Sequence, residues 1–238
     1  MLKELLDLKS CGATGIKLEF ESEYTDWKSA FELSELVHRV DMNLCVKLGG
    51  LSSIQDLHIC KELYANSIVA PMVESAYGVE KFLASVKQVF GKAYPNLYLN
   101  IETKTAFEHI EEIVEKSNKI TGFVLGRSDL KKSLGIEYAD SDVILDYCNK
   151  LDEICETSKK QFVLGGKINA NSVVFLEKLP HLTHFETRKV LFDIASLNEN
   201  AIEKALAFEL NFLKRKNHLF PEDLERIEFI EKSLKIKV

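Results

Sequence analysis

Short apolar runs rich in β-branched residues alternate with longer runs of helical period along almost the whole 238-residue chain. Such alternation predicts strands joined by helices into a parallel sheet. Seven short runs read as strands: GIKLEF (15–20), LCVKL (44–48), SIVAPM (67–72), LYLNIE (97–102), TGFVLG (121–126), QFVLGG (161–166) and HFETR (184–188). KVLFDI, from Lys189, is an eighth candidate. Between them, Trp27, Ala30, Phe31, Leu33, Leu36, Val37 and Val40 form one apolar stripe behind an Asp26 cap. Val79, Phe82, Leu83, Val86 and Phe90 form another, and Phe107, Ile110, Ile113 and Val114 a third behind Thr103. Val143, Tyr147, Leu151, Ile154 and Cys155 follow. The closing part is helical, with a stripe at Ile202, Ala205, Leu206 and Phe208 and a second helix opening at Pro221.

Seven or eight β/α units in one chain predict a TIM (β/α)8 barrel with extra C-terminal helices; an open doubly wound sheet is the competing arrangement. No GxGxxG follows the first strand, which favours the barrel. The strand faces favour it too. Period-2 reading sets Lys17, Glu19 and Glu21 against Ile16, Leu18 and Phe20, and sets Cys45 and Lys47 against Leu44, Val46 and Leu48. It also groups Tyr98, Asn100 and Glu102, and then His184, Glu186 and Arg188. Helices must cover the outside of such a sheet, so the apolar faces point outward and the polar faces into the barrel. A buried charge is costly unless it is paired or bound to a metal. Inward charges at the C-terminal ends of strands therefore mark a site, at the end of the barrel where active sites lie.

Composition narrows the picture further. At 238 residues and 46% hydrophobic, the chain suits one core, residues 1–238, with 196–238 as a helical extension. A net charge of −6, with the basic residues scattered among acids, gives no stripe for a nucleic-acid backbone. The five cysteines lack a CxxC pair, which predicts neither a disulfide framework nor a cysteine zinc site and suits a reducing cytoplasm. No apolar run reaches membrane-spanning length, and MLKELLDLKS reads as an amphipathic helix, so no membrane partner is expected.

Two carboxylates stand out. Glu102 ends its strand just before a helix, and Asp129, in LGRSDL, follows the next strand within a few residues. Carboxylates from adjacent strand ends can hold one hard cation whose octahedron is completed by substrate and water, which suits Mg²⁺ or Mn²⁺. The plainer readings are a helix cap for Asp129 and a cap or ion pair for Glu102.

IVAPMVES, LNIET and ITGFVLGRSDLKKSLG, in that order, resemble the HpcH/HpaI aldolase and citrate lyase beta-subunit family of TIM barrels. The resemblance runs over about residues 15–135, with weaker echoes in LGGK and FETRK. It implies a metal-dependent carbon–carbon lyase or aldolase acting on a 2-oxo acid or an acyl thioester. The family's metal carboxylates fall on Glu102 and Asp129, and a polar substrate-binding residue falls on Asn100. The loop whose backbone amides hold a substrate carboxylate falls on Gly126, Arg127 and Ser128. Lys47 stands where the family generally carries an arginine, keeping the charge but losing the bidentate fork.

After the first strand, EFES departs from the family: Ser22 stands where the aldolase branch has its histidine. Glu19 or Glu21 is then the candidate base, with Lys17 or Lys47 as an alternative if desolvated. A Schiff base on either lysine is a rival mechanism. Glu186 and Arg188 are expected to pair with each other, and His181, His184 and Glu186 read as structural rather than as a metal triplet. Relatives commonly assemble through C-terminal helices, so a homo-oligomer is expected. A member that has lost catalysis and serves as a binding or scaffold subunit is the alternative from another class.

Overall fold

The alternation of runs closes on itself. A computed structural model of the chain, describing residues 1–20, 25–216 and 218–235, has eight strands in one closed barrel in sequence order. They are β1 (Ala13–Glu19), β2 (Asn43–Lys47), β3 (Ser67–Ala70), β4 (Asn96–Asn100), β5 (Gly122–Gly126), β6 (Gln161–Gly165), β7 (His184–Glu186) and β8 (Val190–Asp193). Around them run α1 (Leu2–Ser10), α2 (Trp27–Arg39), α3 (Ile54–Glu62), α4 (Ala76–Phe90), α5 (Lys104–Glu108) and α6 (Ile110–Glu115). The series continues with α7 (Arg127–Leu134), α8 (Asp142–Ser158), α9 (Val173–Leu176), α10 (Glu199–Leu213) and α11 (Pro221–Lys235). No described helix is long and apolar enough to cross a membrane.

The first seven strands pair in parallel, but β8 runs antiparallel to both β7 and β1. Only residues 187–189 separate β7 from β8. A parallel return needs a crossover of about a dozen residues, whereas so short a link permits only a hairpin. Thr187 closes the turn: its N–H donates to the Val190 carbonyl (3.0 Å) and its Oγ1 accepts from the Val190 N–H (3.1 Å). The eighth unit of the expected barrel is therefore a reversed strand. Its turn, with Thr187 and Arg188, lines the same cavity as the C-terminal ends of the parallel strands.

Period-2 alternation divides the barrel into two apolar regions. Ile16, Leu18, Leu44, Val46, Leu97, Leu99, Phe123, Leu125, Phe162, Leu164 and Phe185 point outward into the main core shared with the helices. Inside, Cys45, Val69, Val124 and Val163 form a separate small cluster, with Tyr98 and Leu191 against it. Local chemistry sets the helix starts. Asp26 accepts from the Ser29 N–H (3.0 Å) to cap α2, and Thr103 accepts from the Ala106 N–H (3.1 Å) to cap α5. Pro221 occupies the first turn of α11, where its missing N–H costs nothing.

After β8 the chain forms α10 and turns back as α11, which lays Glu222, Glu225, Arg226 and Phe229 along the cavity at the strands' C-terminal ends. The two helices are clamped by a bidentate pair, Arg226 Nε and Nη2 donating to the two Glu209 oxygens at 2.6 and 2.8 Å. Glu209 is fully buried, so this pair is desolvated as well as well formed. Arg226→Met would strand that carboxylate, at a cost of about 3 kcal/mol. Hydrogen exchange should show α11 losing protection while β1 to β7 keep theirs; unchanged α11 protection would show that the clamp does not hold it.

Candidate active site

The C-terminal ends of the parallel strands open on a cavity of about 400 Å³ that collects most of the polar residues expected to face inward. Lys17 and Glu19 come from β1, Lys47 from β2, Asn100 from β4, Glu102 from just beyond it, Gly126 from β5 and Glu186 from β7. Ser128 and Asp129 enter from the first turn of α7. Glu21 and Ser22 lie outside the described residues. A second hollow, of about 390 Å³, lies between α2 and the residues linking α10 to α11, lined in part by Thr25 and Asp26.

Glu102 is the most enclosed of these acids, at 2% exposure. Asn100 Nδ2 donates to its Oε2 at 2.6 Å, the Met72 N–H donates to Oε1 at 3.3 Å, and the Lys47 ammonium stands 3.8 Å from Oε1. Met72 reaches that donor position in a left-handed conformation, φ 50°, which is uncommon for a residue with a side chain. Opposite, Gly126 leaves the room that the carboxylate needs: a Cβ there would come within 2.5 Å of Oε2. Burial pushes the Glu102 pKa up, the Lys47 charge pulls it back, and Asp129 pushes it up again; the net result is a raised pKa.

Lys47 bridges two strands, 3.3 Å from Glu19 as well as near Glu102. Below it, Lys17 is paired with Glu186, so Glu186 finds its partner across the barrel on β1 rather than in Arg188. The reason is that β7 ends at Glu186, which places Arg188 in the turn to β8 instead of two positions along the same strand face. Burial would lower the pKa of Lys17, but Glu186 and Glu19 outweigh it and the pKa is raised. For Lys47, burial is likewise overcome by Glu19 and Glu102. Both amines are ammonium ions at neutral pH, the opposite of the condition for Schiff-base attack or for a lysine base.

The start of α7 supplies donors. Gly126 is its N-cap and provides no side-chain cap, so the first turn faces the cavity through Ser128 and Asp129. Gly166, at φ 88°, comes so close that a Cβ would stand 2.6 Å from the Ser128 nitrogen and 2.7 Å from that of Arg127. The Arg127 guanidinium points elsewhere. Fully buried, it donates from Nε to the Gly165 carbonyl (3.2 Å) and from Nη2 to the Gly166 carbonyl (2.9 Å), pairs with Asp140 and lies over the Phe175 ring. It pins the loop after β6 to α7. Asp129 sits third in the helix instead of capping it, and holds Lys132 at 3.2 Å.

A profile of the HpcH/HpaI aldolase/citrate lyase family matches residues 29–169, more than half of the chain. The chain belongs to that family. Members are of the aldolase and citrate lyase type, act on small molecules and generally use divalent metals. Among solved structures, an HpcH/HpaI aldolase from Desulfitobacterium hafniense shares 12% identity at a TM-score of 0.65, covering 92% of this chain and 91% of that one. The citrate synthase SbnG shares 16% at 0.62, covering 90% and 89%. A family protein from Burkholderia cenocepacia shares 10% at 0.64, covering 79% and 84%. At these identities the likeness is one of fold. No curated protein matches the sequence.

The donor set can be tested against the metal that HpcH/HpaI proteins generally use. Among the described residues no group of three His, Cys, Asp or Glu converges on one point. What the structure offers is Glu102 and Asp129, close enough for Asp129 to perturb Glu102, and, on Asn100 whose amide NH2 donates to Glu102, a buried Oδ1 with no hydrogen-bond partner among the described residues. An all-oxygen set this small fits a hard cation that draws its remaining ligands from substrate and water, and does not fit zinc.

Two substitutions test the cost of holding Glu102. The folded state raises its pKa above the unfolded value of roughly 4.3, so the native state binds this proton more tightly and ionisation costs stability at higher pH. Glu102→Gln should therefore raise Tm at pH 7.5, with the gain shrinking as pH falls through the folded pKa towards the unfolded one; a lowered Tm at pH 7.5 would contradict this. Gly126→Ala should cost about 1–3 kcal/mol by overpacking, read in a urea melt.

Proposed function

We propose that this chain is a divalent-metal-dependent carbon–carbon lyase or aldolase that acts on a 2-oxo acid or a related acyl thioester. The observation that carries the reading is the buried Glu102 carboxylate, held beside Asp129 and the orphaned Asn100 oxygen at the strand ends. Lys47 and the Asn100 and Met72 donors offset only part of that desolvation, since the pKa stays raised, and a bound cation would offset more. This argues against the scaffold alternative.

Glu102 and Asp129 would hold Mg²⁺ or Mn²⁺, with Asn100 completing the protein's oxygens. When bound, the cation supplies Lewis acidity against charge developing on the substrate carbonyl oxygen. Lys47 adds a fixed positive charge beside Glu102 that needs no reorganisation during the reaction. The amides of Gly126, Arg127 and Ser128, at the open start of α7, receive the substrate carboxylate, with Gly166 keeping the approach narrow. Glu19, 3.3 Å from Lys47 and lining the cavity, is the described candidate to take the proton from the substrate carbon; Glu21 remains the other candidate.

The same reading treats residues 1–238 as one functional unit, with 196–238 as its helical extension. A cytoplasmic setting agrees with five free cysteines, four of them buried. The expected homo-oligomer is measurable by light scattering. Within the chain, α10 already buries Ala201, Ile202, Ala205, Leu206, Phe208 and Leu213, which leaves exposed side chains such as Leu224 for any further contact.

NMR of pyruvate in D₂O tests the chemistry directly. Methyl-proton exchange is expected with Mg²⁺ present and should fall about 10²- to 10³-fold in Glu102→Ala and on chelation. Exchange that survives chelation would remove the metal from the reading.

A further inference from the structure

Far from the strand ends, a thiol and an amine meet. Of the five free cysteines, four are buried and Cys11 is part-exposed. Burial pushes the four inward thiols up, those of Cys45, Cys148 and Cys155 to about 12, which leaves them poor nucleophiles. Cys11 closes the end of α1, its N–H donating to the Leu8 carbonyl at 2.9 Å. There its sulfur faces a second nucleophile: Lys204 Nζ, from α10, donates to Cys11 Sγ at 3.0 Å. Ser10 Oγ lies 3.9 Å from the same sulfur.

The two helices hold that contact in place. Leu5 and Leu8 seat α1 in the core, and Ala201, Ile202, Ala205 and Leu206 seat α10. A second clasp joins the same pair of helices, with Asn211 Nδ2 donating to Glu4 Oε1 at 2.9 Å and Arg215 Nη2 to Glu4 Oε2 at 3.1 Å. Sulfur and amine are thus kept together across 193 positions of sequence, on a surface that small oxidants reach. The Lys204 pKa is raised, first by its hydrogen bond to Cys11 and then by charge on that sulfur, with Asp7 adding less. Oxidation of the sulfur removes both leading causes, so the amine is freed as the sulfur becomes electrophilic.

We propose that Cys11 and Lys204 are a peroxide-responsive pair that closes into a reversible covalent sulfur–nitrogen link between α1 and α10. In the first step the Cys11 thiolate attacks one peroxide oxygen. An S–O bond forms, the O–O bond breaks, and the departing hydroxide leaves as water; sulfur loses two electrons and peroxide gains them. With the other cysteines buried, the nucleophile in contact with the sulfenic acid is the Lys204 amine. Its lone pair attacks Sγ, the S–N bond forms, the S–O bond breaks, and a second water carries off the hydroxyl with a proton from nitrogen. A thiol reductant reverses the link by attacking Sγ and releasing the amine.

Hydrogen peroxide on the reduced full chain, followed by tryptic digestion and mass spectrometry, tests the pair. Wild type should yield one linked peptide pair containing Cys11 and Lys204, lighter by two hydrogen atoms than the sum of its parts. Trypsin should no longer cut after Lys204, and a thiol should restore both peptides. Lys204→Arg keeps the positive charge but removes the nucleophilic amine, so the link should vanish while trapping of Cys11 sulfenic acid by dimedone rises roughly tenfold. Cys11→Ser should abolish both signals. Because the link closes a long stretch of chain, Tm of the oxidised wild type should rise by roughly 5 °C and fall back on reduction. Cys11 driven to sulfinic acid with Lys204 unmodified, a disulfide joining two chains through Cys11, or equal dimedone trapping in wild type and Lys204→Arg would each overturn the proposal. A link that left Tm unchanged would overturn its action as a clasp between the helices.

Discussion

The helices that wrap the barrel impose the constraint on which everything else depends. They require one face of each parallel strand to be apolar, and a strand with a period of two then has its other face available for the interior. That interior is narrow. Cys45, Val69, Val124 and Val163 fill its middle, and the polar side chains stand above them towards the strand ends. Charges crowded into so small a space must meet partners, and Lys17 with Glu186, and Lys47 with Glu19 and Glu102, are the result.

Reversal of β8 shapes the rest of the site. Because a hairpin replaces the last crossover, its turn lines the cavity, and the backbone of Lys189 in that turn accepts from the Lys17 N–H at 2.8 Å. The Lys189 ammonium lies over the Phe212 ring of α10 at 4.5 Å, so the turn is also tied to the C-terminal helices. Among the described residues after β8, those of α11 are the ones that line the cavity, held there by Glu209 and Arg226. One short connection thus leaves the closing side of the cavity to a helix far along the sequence.

Glu102 illustrates how function and stability pull apart. Three features hold it: the Asn100 amide, the Met72 N–H on left-handed backbone, and the absence of a side chain at Gly126. None of them removes the desolvation that raises its pKa. Strain and desolvation concentrated on one group are what a preformed site requires, and the large outer core carries their cost.

Local pattern was enough for much of this. Strand positions, the Asp26 and Thr103 caps, the Pro221 start and the inward faces of Lys17, Glu19, Lys47, Asn100 and Glu102 are consequences of period and of short-range hydrogen bonding, so they can be read from residues a few positions apart. Other features are not local. Glu186 pairs with Lys17, 169 positions away, rather than with its near neighbour Arg188, because strand ends and barrel closure decide who faces whom. The direction of β8 depends on where β7 stops, and the buried, inward-tied Arg127 depends on a loop after β6. The sequence by itself determined the alternation, and hence a barrel with polar residues inside it. Only the tertiary structure decided which charges meet and which helix lies along the cavity, because those contacts form between segments that no period along the chain connects.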